Sequence, residues 1–507
     1  MRYGFLIDQN RCIGCHACTV ACKEEHNIAL GVNRTWVKYV EKGHYPDTRR
    51  HFAVLRCNHC DDAPCIEICP TVALFRRSDG IVDFDHERCI GCKSCMQACP
   101  YDALYIDPER NTAAKCNFDA SRVDMGYKPA CEVVCPTQAI LSGDLDDPNS
   151  ILSKRVAMEK VSVRKAEKGT KPKLFYVGVD GDLLNPTMME PQDAHFWAEK
   201  DPGEDLYALK MKSSERSIPG VAREVYDVPH ITPWGKKIAS YLWTKSIACG
   251  VLLLSALFLN MGFEQDAAVL GLISPIVSLV FLTATMLLLV FDLKKPARFF
   301  YLFTKPNLNS WLVLGGYVLM VFGVLLAVWL ALVLSGRELY PWLVWMAATF
   351  AVASAGYSAF LFAQARGRDF WQSSLLFWHL LIQSTGAGAA TLTLIGTVIG
   401  VSLPLFTWIG HLMVISIFAG LAMIFGELFM KHGAEDSARA GAMLLNGPLS
   451  KPFWLCVIGI GSVIPSALVL WPINSLIPNI VAAVFVLFGL WMYEHLWIKA
   501  GQAVPLS

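Results

Sequence analysis

The sequence predicts an α+β domain built around cysteine groups, followed by an all-α bundle of eight helices that cross a membrane. Fifteen of the 17 cysteines lie between Cys12 and Cys135. The residues after about 238 are mostly Leu, Val, Ala, Phe, Ile and Gly, in runs long enough to span a bilayer. The formal net charge is only +1, so nothing indicates a nucleic-acid partner. The chain is therefore a polar, cysteine-dense head joined to a membrane tail.

The cysteines of the head fall into four groups with regular spacing. Groups one and three repeat the C-x2-C-x2-C-x3-C run of bacterial ferredoxins. Group four carries an aspartate, Asp119, where a cysteine is expected. The groups are Cys12, Cys15, Cys18 and Cys22; Cys57, Cys60, Cys65 and Cys69; Cys89, Cys92, Cys95 and Cys99; and Cys116, Asp119, Cys131 and Cys135.

Metal ligation explains these cysteines better than disulfides do. The start, "MRYGFLIDQNRCIGC", has neither a basic segment followed by an apolar segment nor a twin-arginine pair, so the head is expected to stay in the reducing cytoplasm. Structural zinc sites are the alternative, but zinc sites seldom use a fourth cysteine three residues after the third. The spacing therefore favours iron–sulfur clusters, in which the fourth cysteine of a group reaches a different cluster.

Residues 1–180 resemble the four-cluster electron-transfer subunit of complex iron–sulfur molybdoenzymes. That family includes polysulfide, tetrathionate and dimethyl sulfoxide reductases and membrane-bound formate dehydrogenases. The resemblance rests on the four groups, on "PACEVVCPTQAILSGDLDDPNS" and on the strand-like "PKLFYVGV". It implies an α+β ferredoxin-like domain with four [4Fe-4S] sites. The implied ligand sets are Cys12, Cys15, Cys18 and Cys135; Cys22, Cys116, Asp119 and Cys131; Cys57, Cys60, Cys65 and Cys99; and Cys69, Cys89, Cys92 and Cys95.

Asp119 departs from this family pattern, and three interpretations stay open. Asp119 ligates iron through oxygen and keeps a four-iron cluster; or the site loses one iron and holds a [3Fe-4S] cluster; or the cluster is absent and Asp119 is a solvated loop residue. A hard oxygen ligand suits this iron less well than a thiolate does. The first two interpretations therefore predict a cluster with an altered potential.

Residues 181–235 form the predicted linker between head and tail. They are rich in Pro, Asp, Glu and Lys and have no clear period. A tether with one or two helical turns is one interpretation. A docking segment for a partner subunit, using Phe196, Trp197 and Tyr207, is the other.

Residues 236–507 are predicted to form the membrane domain. Eight apolar runs place both ends of the tail on one side. Lys and Arg collect in cytoplasmic loops, and the count is thirteen on the side of the head against Arg337 alone on the other. The head is thus expected to face the cytoplasm at an inner membrane. The runs are about 239–262, 267–291, 311–335, 341–364, 372–400, 403–429, 453–471 and 476–497.

Five polar residues within these runs, Gln383 among them, are candidates for a functional role, because polar groups inside a membrane usually mark function. The four ionisable ones are candidates for quinone or proton chemistry. Lys245 and Glu427 lie near span ends, where snorkelling or an ordinary boundary is the alternative. His379 and His411 lie deeper, where a histidine facing the bundle binds haem, serves a quinone or is a hydrogen-bonded core residue. Two haems need more such histidines than the runs supply, so no haem is expected.

The tail resembles the integral membrane subunits of polysulfide reductase and formate-dependent nitrite reductase. The matching stretches are "LWTKSIACGV", "DLKKPARFFYLFTKPNLNSW" and "DFWQSSLLFWHLLIQSTGAGAA". The resemblance implies a quinone site, for menaquinone or another quinone, near the cluster subunit. In those relatives head and anchor are usually separate chains, and here they are fused.

The whole sequence thus predicts an electron-transfer and membrane-anchor subunit. Electrons would pass between the quinone pool and a molybdopterin-containing catalytic subunit, with membrane lipid around the tail. A cytoplasmic head suggests sulfite or another sulfur compound as the partner's substrate. The alternatives are a quinone oxidoreductase module fed by a soluble donor without molybdenum, and a non-redox membrane scaffold.

Overall fold

The computed structural model describes residues 1–44, 46–190, 222–429, 434–470 and 476–507. Their contacts divide the chain into two compact units. The first is Met1–Pro233 together with Pro505–Ser507, and the second is Trp234–Val504. The first unit contains the cysteine groups and the second contains the long apolar helices, so we call them the head and the tail.

The described part of the head contains two four-stranded sheets and two short hairpins. Its strands are β1 (Tyr3–Asp8), β2 (Thr35–His44), β3 (Asp47–Arg56), β4 (Leu74–Arg76), β5 (Val82–Phe84), β6 (Leu104–Ile106), β7 (Ala113–Lys115), β8 (Ile140–Asp144), β9 (Val161–Ser162), β10 (Leu174–Val177), β11 (Met189–Glu190) and β12 (Ala222–Tyr226). One sheet has the order β8-β1-β10-β9 and the other β11-β12-β2-β3, while β4-β5 and β6-β7 pair separately.

Short helices follow the cysteine loops. They are α1 (Ala17–Glu25), α2 (Pro64–Glu67), α3 (Ser94–Ala98), α4 (Ala120–Asp124), α5 (Ala130–Val133), α6 (Ile151–Met158) and α7 (Gly181–Leu184). Five of the seven have five residues or fewer, too few to be stable alone in water. Their positions therefore depend on packing and on the cysteine loops between them. This mixture of strands and helices confirms the α+β class predicted for the head.

Part of the predicted linker is a strand of the head. β12 pairs antiparallel with β2, with Glu224 opposite Val40. Buried Lys38 on β2 forms ion pairs with Glu224 Oε2 at 2.6 Å and Asp227 Oδ2 at 3.1 Å. The tether interpretation is thus wrong for residues 222–226. The docking aromatics Phe196, Trp197 and Tyr207 lie outside the described residues.

The tail contains eight helices long and apolar enough to cross a membrane, which confirms the predicted number within the described ranges. We call them TM1 (Lys236–Asn260), TM2 (Ala268–Asp292), TM3 (Trp311–Leu334), TM4 (Pro341–Ala363), TM5 (Leu376–Ile399), TM6 (Leu403–Phe429), TM7 (Ser450–Leu470) and TM8 (Ile477–Ala503). A further helix, Glu435–Leu445, lies between TM6 and TM7. Residues Ala268–Ile273 in TM2 and Phe453–Val463 in TM7 are π-helical.

Glycines permit close approach of two helix pairs in the tail. A Cβ atom on Gly388 of TM5 would lie 2.3 Å from the carbonyl carbon of Gly250 in TM1. A Cβ atom on Gly489 of TM8 would lie 2.3 Å from the Cα atom of Gly461 in TM7. Small residues at such crossings let the helix backbones touch. Close packing of this kind favours association of membrane helices, because the hydrophobic effect does not drive apolar helices together in lipid.

Candidate functional site

Left-handed residues turn the cysteine loops of the head. In group one, Gly14 has φ +71° and His16 has φ +59°; in group three, Gly91 has φ +70° and Lys93 has φ +64°. A Cβ atom on Gly14 would also lie 2.4 Å from the Phe52 ring. Both the positive φ and this close contact therefore favour glycine at position 14. Such turns direct successive N–H groups toward one concavity, a common way to bind anions and iron–sulfur clusters.

The first set of thiols joins both ends of the cysteine region. Burial raises the pKa of the Cys12 thiol, and the nearby charges of Cys135 and Cys15 raise it further. Burial also raises the pKa of Cys18 to about 11, with Cys12 among its charged neighbours. The Ala139 N–H donates to Cys135 Sγ at 3.2 Å. Thiols 123 positions apart in sequence are thus neighbours in space.

Two further sets combine groups two and three. Burial raises the pKa of Cys65 well above its usual range, and the neighbouring thiols that add to this are Cys99, Cys57 and Cys60. Burial likewise raises the pKa of Cys92 to about 12, and its thiol neighbours are Cys69 and Cys89. Cys95 has Cys92, Cys89 and Cys69 as neighbours. Metal binding deprotonates such buried thiols outright.

The fourth set contains Cys22, Cys116 and Cys131. Burial and the charges of Cys116 and Cys131 raise the pKa of Cys22. The side chain of Asp119 is only 6 % exposed, and its Oδ2 accepts the Ala130 N–H at 2.8 Å. The interpretation of Asp119 as a solvated loop residue is therefore wrong.

One oxygen of Asp119 is left over for another ligand. Oδ1 is buried and accepts no hydrogen bond from the described residues. His26 Nε2 lies 3.5 Å from Oδ1. Burial, followed by the charge of Arg34, lowers the pKa of His26 to about 4, so His26 is neutral at pH 7. Burial also raises the pKa of the Asp119 carboxyl.

These thiols suit polynuclear clusters better than zinc. Zinc draws its sulfur ligands to about 2.3 Å from a single point. Among the described residues, no three His, Cys, Asp or Glu side chains converge closely enough to share one metal ion. Ligands of different iron atoms in one cluster stand further apart. The four sets, together with the unpartnered Asp119 Oδ1, fit iron–sulfur clusters; the ligation itself stays a prediction.

The tail contains a cavity between TM5, TM6, TM7 and TM8. Most of its lining is apolar, and its polar side chains are His379, Gln383, Ser416, Ser462 and Tyr493. Binding sites for organic ligands typically have this mixture of many apolar and few polar groups. The wall from TM7 is the π-helical segment, a feature often found at functional sites.

A hydrogen-bonded chain of side chains leads to this cavity. Ser373 Oγ donates to Glu427 Oε1 at 3.0 Å, and Glu427 Oε2 lies 3.1 Å from His379 Nδ1. His379 Nε2 lies 3.2 Å from Gln383 Nε2. His379 and Glu427, two of the predicted candidates, are thus direct partners. Both are buried, so Glu427 is more than an ordinary span boundary.

Lys245 does not snorkel. Its side chain is fully buried, and its Nζ donates to the Ala355 carbonyl at 2.9 Å and to Ser358 Oγ at 2.6 Å. Nζ also lies 4.8 Å from the ring centroid of Tyr357. These bonds join TM1 to TM4. Lys245 is therefore inside the bundle but is not among the residues that line the cavity.

His411, a candidate predicted to lie deeper along its span, does not face the interior of the bundle. Its side chain is exposed on TM6, beside the Trp408 ring at a centroid distance of 6.5 Å. The sequence places a residue within a span, but which face of the helix it occupies depends on the neighbouring helices.

Sequence reasoning missed three groups of polar residues. The first is a pair of buried arginines beside the fourth thiol set, Arg56 and Arg34. The second is Tyr493, whose ring centroid lies 5.2 Å from that of His379. The third is Glu494, only 3 % exposed inside TM8. An acidic residue in an apolar run, "LWMYEHLW", was a usable signal for Glu494.

Comparison with known families assigns both parts of the molecule. Residues 225–505 match the family profile described as "Polysulphide reductase, NrfD". Residues 3–24 match a 4Fe-4S binding domain and residues 49–145 a 4Fe-4S dicluster domain.

Several curated proteins are similar to the head and the segment that follows it. The B subunit of tetrathionate reductase from Salmonella typhimurium is 42 % identical over 202 residues, 39 % of this chain and 80 % of that protein. The B polypeptide of polysulfide reductase from Wolinella succinogenes is 42 % identical over 181 residues, covering 35 % and 94 %. The iron–sulfur B subunit of a putative dimethyl sulfoxide reductase from Halobacterium salinarum is 33 % identical over 262 residues, covering 45 % and 95 %. The chain therefore belongs to the polysulphide reductase NrfD family and carries, on the same polypeptide, an iron–sulfur domain similar to these reductase subunits.

Proposed function

We propose that this chain is the electron-transfer and membrane-anchor subunit of a membrane-bound oxidoreductase. Electrons pass through iron–sulfur clusters in the head between the quinone pool and a catalytic subunit that contains molybdopterin. The observation that carries the proposal is the presence, in one chain, of four gathered thiol sets and an eight-helix tail with a mostly apolar cavity that contains a few polar side chains. Cluster ligands alone occur in many redox proteins. Cluster ligands together with a membrane cavity suit a protein that carries electrons between a quinone in the membrane and a catalytic subunit outside it.

The proposed cluster ligands are the four sets that the family resemblance implies. When bound, the clusters supply one-electron transfer. The chain holds the ligands in loops, donates N–H groups to their sulfurs and excludes water. Cys57, Cys60, Cys65 and Cys69 are all buried, as are Cys89, Cys95 and Cys99.

At the atypical site we propose that Asp119 Oδ1 ligates iron and keeps a four-iron cluster. Its support is the buried oxygen that accepts no hydrogen bond within the described residues. Burying a carboxylate oxygen without a partner is unfavourable, and a metal ion is one of the few partners that compensates for it. A [3Fe-4S] cluster would leave that oxygen unpartnered.

The cavity beside His379 is the proposed quinone site. Quinone reduction takes up two protons with two electrons, so the site needs side chains that deliver protons. His379 contacts the cavity on one side and Glu427 on the other, and Ser373 extends the chain toward the end of TM5. His379 thus serves as the group that exchanges a proton with a quinone oxygen, and Glu427 orients its ring.

The catalytic partner follows from the names of the relatives. They are subunits of tetrathionate, polysulfide, dimethyl sulfoxide and arsenate respiratory reductases. A catalytic chain of the same molybdopterin class, acting on sulfite or another sulfur compound, is the proposed partner here. The head faces the cytoplasm in this proposal, which rests on the distribution of basic residues between the two sides of the tail.

The test is purification of the tagged chain in mild detergent, with molybdenum and iron assays and a quinone reaction. We expect a large molybdenum-containing partner, and dithionite-reduced clusters that menadione reoxidises. Reoxidation without a molybdenum partner would favour the module fed by a soluble donor. Clusters that do not exchange electrons with menadione would favour the non-redox scaffold and refute the proposal.

The quinone site is tested by a matched pair of histidine substitutions in the same preparation. His379→Asn removes the ring that contacts the cavity, and His411→Asn removes an exposed ring from TM6. We expect His379→Asn to slow reoxidation by menadione at least about tenfold, a typical contribution of a positioned acid–base group being about 10²-fold or more. His411→Asn should react like the wild type, and equal slowing in both would contradict this location of the site.

A further inference from the structure

Arg56 is a fully buried cation in direct contact with a cluster-site sulfur. It ends β3 and immediately precedes Cys57. Its side chain is 0 % exposed, and its Nη1 donates to Cys131 Sγ at 3.1 Å. The guanidinium carbon lies 4.7 Å from the ring centroid of Phe5, which covers one face of the group.

The positive charge of Arg56 has no carboxylate to balance it. Within the described residues Arg56 forms no ion pair with Asp or Glu, and its Nε and Nη2 have no hydrogen-bond partner. A guanidinium stays protonated in proteins. A buried charge that lacks a partner is strongly unfavourable, so an anion is required where these N–H groups lie.

The nearest groups that can supply the negative charge are cysteine sulfurs of the cluster sites. The thiols whose charges act on Arg56 are Cys131, Cys116 and Cys18, with Cys131 first. Cys116 and Cys131 belong to the set that includes Asp119, whereas Cys18 belongs to the set of Cys12. Arg34, the other arginine beside the Asp119 set, is held by Asn117 Oδ1 at 3.2 Å and lies over the Phe84 ring. Of these two arginines, only Arg56 has fully buried N–H groups without a hydrogen-bond partner among the described residues.

We propose that Arg56 is the internal counter-ion of the cluster at Cys22, Cys116, Asp119 and Cys131, and that it raises the reduction potential of this cluster. The inference rests on the ligand set given under the proposed function. One-electron reduction adds one negative charge to the site. A fixed cation nearby, away from water, stabilises the reduced state more than the oxidised state. Arg56 is thus a positioning residue that favours an electron at the Asp119 site, with a smaller effect at the set of Cys12 through Cys18.

The test is a redox titration of the purified complex followed by EPR. Arg56→Gln removes the charge and keeps hydrogen-bonding ability, whereas Arg56→Lys keeps the charge on a narrower head group. We expect Arg56→Gln to shift the midpoint potential of the Asp119 cluster downward and Arg56→Lys to shift it less. The cluster at Cys69, Cys89, Cys92 and Cys95 is the internal reference and should keep its potential.

Arg164→Gln is the matched control, because Arg164 is also a buried arginine of the head. Arg164 is 2 % exposed, and its Nε and Nη1 have no hydrogen-bond partner among the described residues, as in Arg56. Its Nη2, however, donates to the Leu506 carbonyl at 2.9 Å, where Arg56 donates to Cys131 Sγ. Its removal should leave the potential of the Asp119 cluster unchanged. If Arg164→Gln and Arg56→Gln lowered the midpoint potential of the Asp119 cluster equally, the inference would be overturned. The shift would then follow from the loss of any buried charge in the head and not from the contact of Arg56 with Cys131.

Two further outcomes also decide the question. An unchanged potential in Arg56→Gln with full iron content overturns the counter-ion role. If Arg56→Gln does not fold, Arg56→Met, which also removes the charge, decides: a downward shift supports the role and a wild-type potential overturns it. Iron for only three clusters in the wild type would instead refute the ligand set, and the iron assay separates that result from an unchanged potential.

Discussion

Asp119 is the residue that sets the fourth cysteine group apart from the other three. The spacing of group four predicts a fourth ligand at position 119, and the structure buries the carboxylate there. One oxygen accepts the N–H of Ala130, the residue before Cys131, and the other is available. An oxygen ligand donates to iron differently from a sulfur ligand, so in the proposed assignment this position distinguishes one cluster from the other three.

The Asp119 proposal is tested by EPR of the oxidised protein. A [3Fe-4S] cluster is paramagnetic when oxidised, whereas an oxidised four-iron cluster gives no signal. We expect a silent spectrum from the wild type and from Asp119→Cys. Asp119→Ala removes the proposed ligand and should produce the three-iron signal. Asp124→Ala, on the same short helix but 55 % exposed, should stay silent. A three-iron signal in the wild type would contradict ligation by Asp119.

The residues of the site differ in how well the sequence reveals them. Cysteine spacing is local, because one short loop places several thiols, so all four groups were found. Arg56 and Arg34 were not found, because the faces that strand residues present depend on partners far away in sequence. The sequence left the orientation of His411 open for the same reason: a span predicts depth in the membrane but not the side of the helix that neighbours cover.

At the scale of elements, hydropathy predicts the membrane helices and misses much of the sheet structure. Each spanning helix is a continuous apolar run, so its existence can be read from the sequence to within a few residues. The hairpin of β2 and β3 was not predicted, although its register extends from Thr35 opposite Arg56 to His44 opposite Asp47. β12 was assigned to the linker because its partner, β2, lies far earlier in the chain, with Val40 opposite Glu224.

The contact between TM1 and TM5 depends on a glycine pair. Gly388→Ala would place a methyl group 2.3 Å from the Gly250 carbonyl carbon, which is a backbone atom, so the helices must separate. We expect a loss of about 1–3 kcal/mol in stability, typical of overpacking, seen as a lower midpoint of thermal unfolding in detergent. Gly316→Ala on TM3 is the control, because nothing lies within 4 Å of its added Cβ atom. Equal losses in both would contradict the packing argument.

For the whole molecule, the orientation of the tail depends on its charges. The thirteen basic residues on the side of the head include Lys245 and Lys431. Lys245 lies inside TM1, buried, and does not contribute to a loop charge. Lys431 lies outside the described residues. The remaining bias supports the proposed cytoplasmic head, because only Arg337 is assigned to the opposite side.

Reporter fusions test this orientation. Alkaline phosphatase is active only outside the cytoplasm. We expect activity when it is fused after Arg337, which follows TM3, and none when it is fused after Lys305, which precedes TM3. A fluorescent protein that matures only in the cytoplasm should give the reverse result. Phosphatase activity after Lys305 but not after Arg337 would place the head outside the cytoplasm and would change the class of partner.

The gathering of Cys12 with Cys135 has a consequence for the order of events during synthesis. The first set cannot be complete until residue 135 has left the ribosome, which at about 5–20 residues per second is roughly 6–25 seconds after Cys12. TM1 begins at Lys236, so every cysteine set of the head exists before the first spanning helix has been made. The proposed loading of iron can therefore begin before any spanning helix is inserted, and a shortage of iron would then act on a nascent head whose anchor has not yet been synthesised.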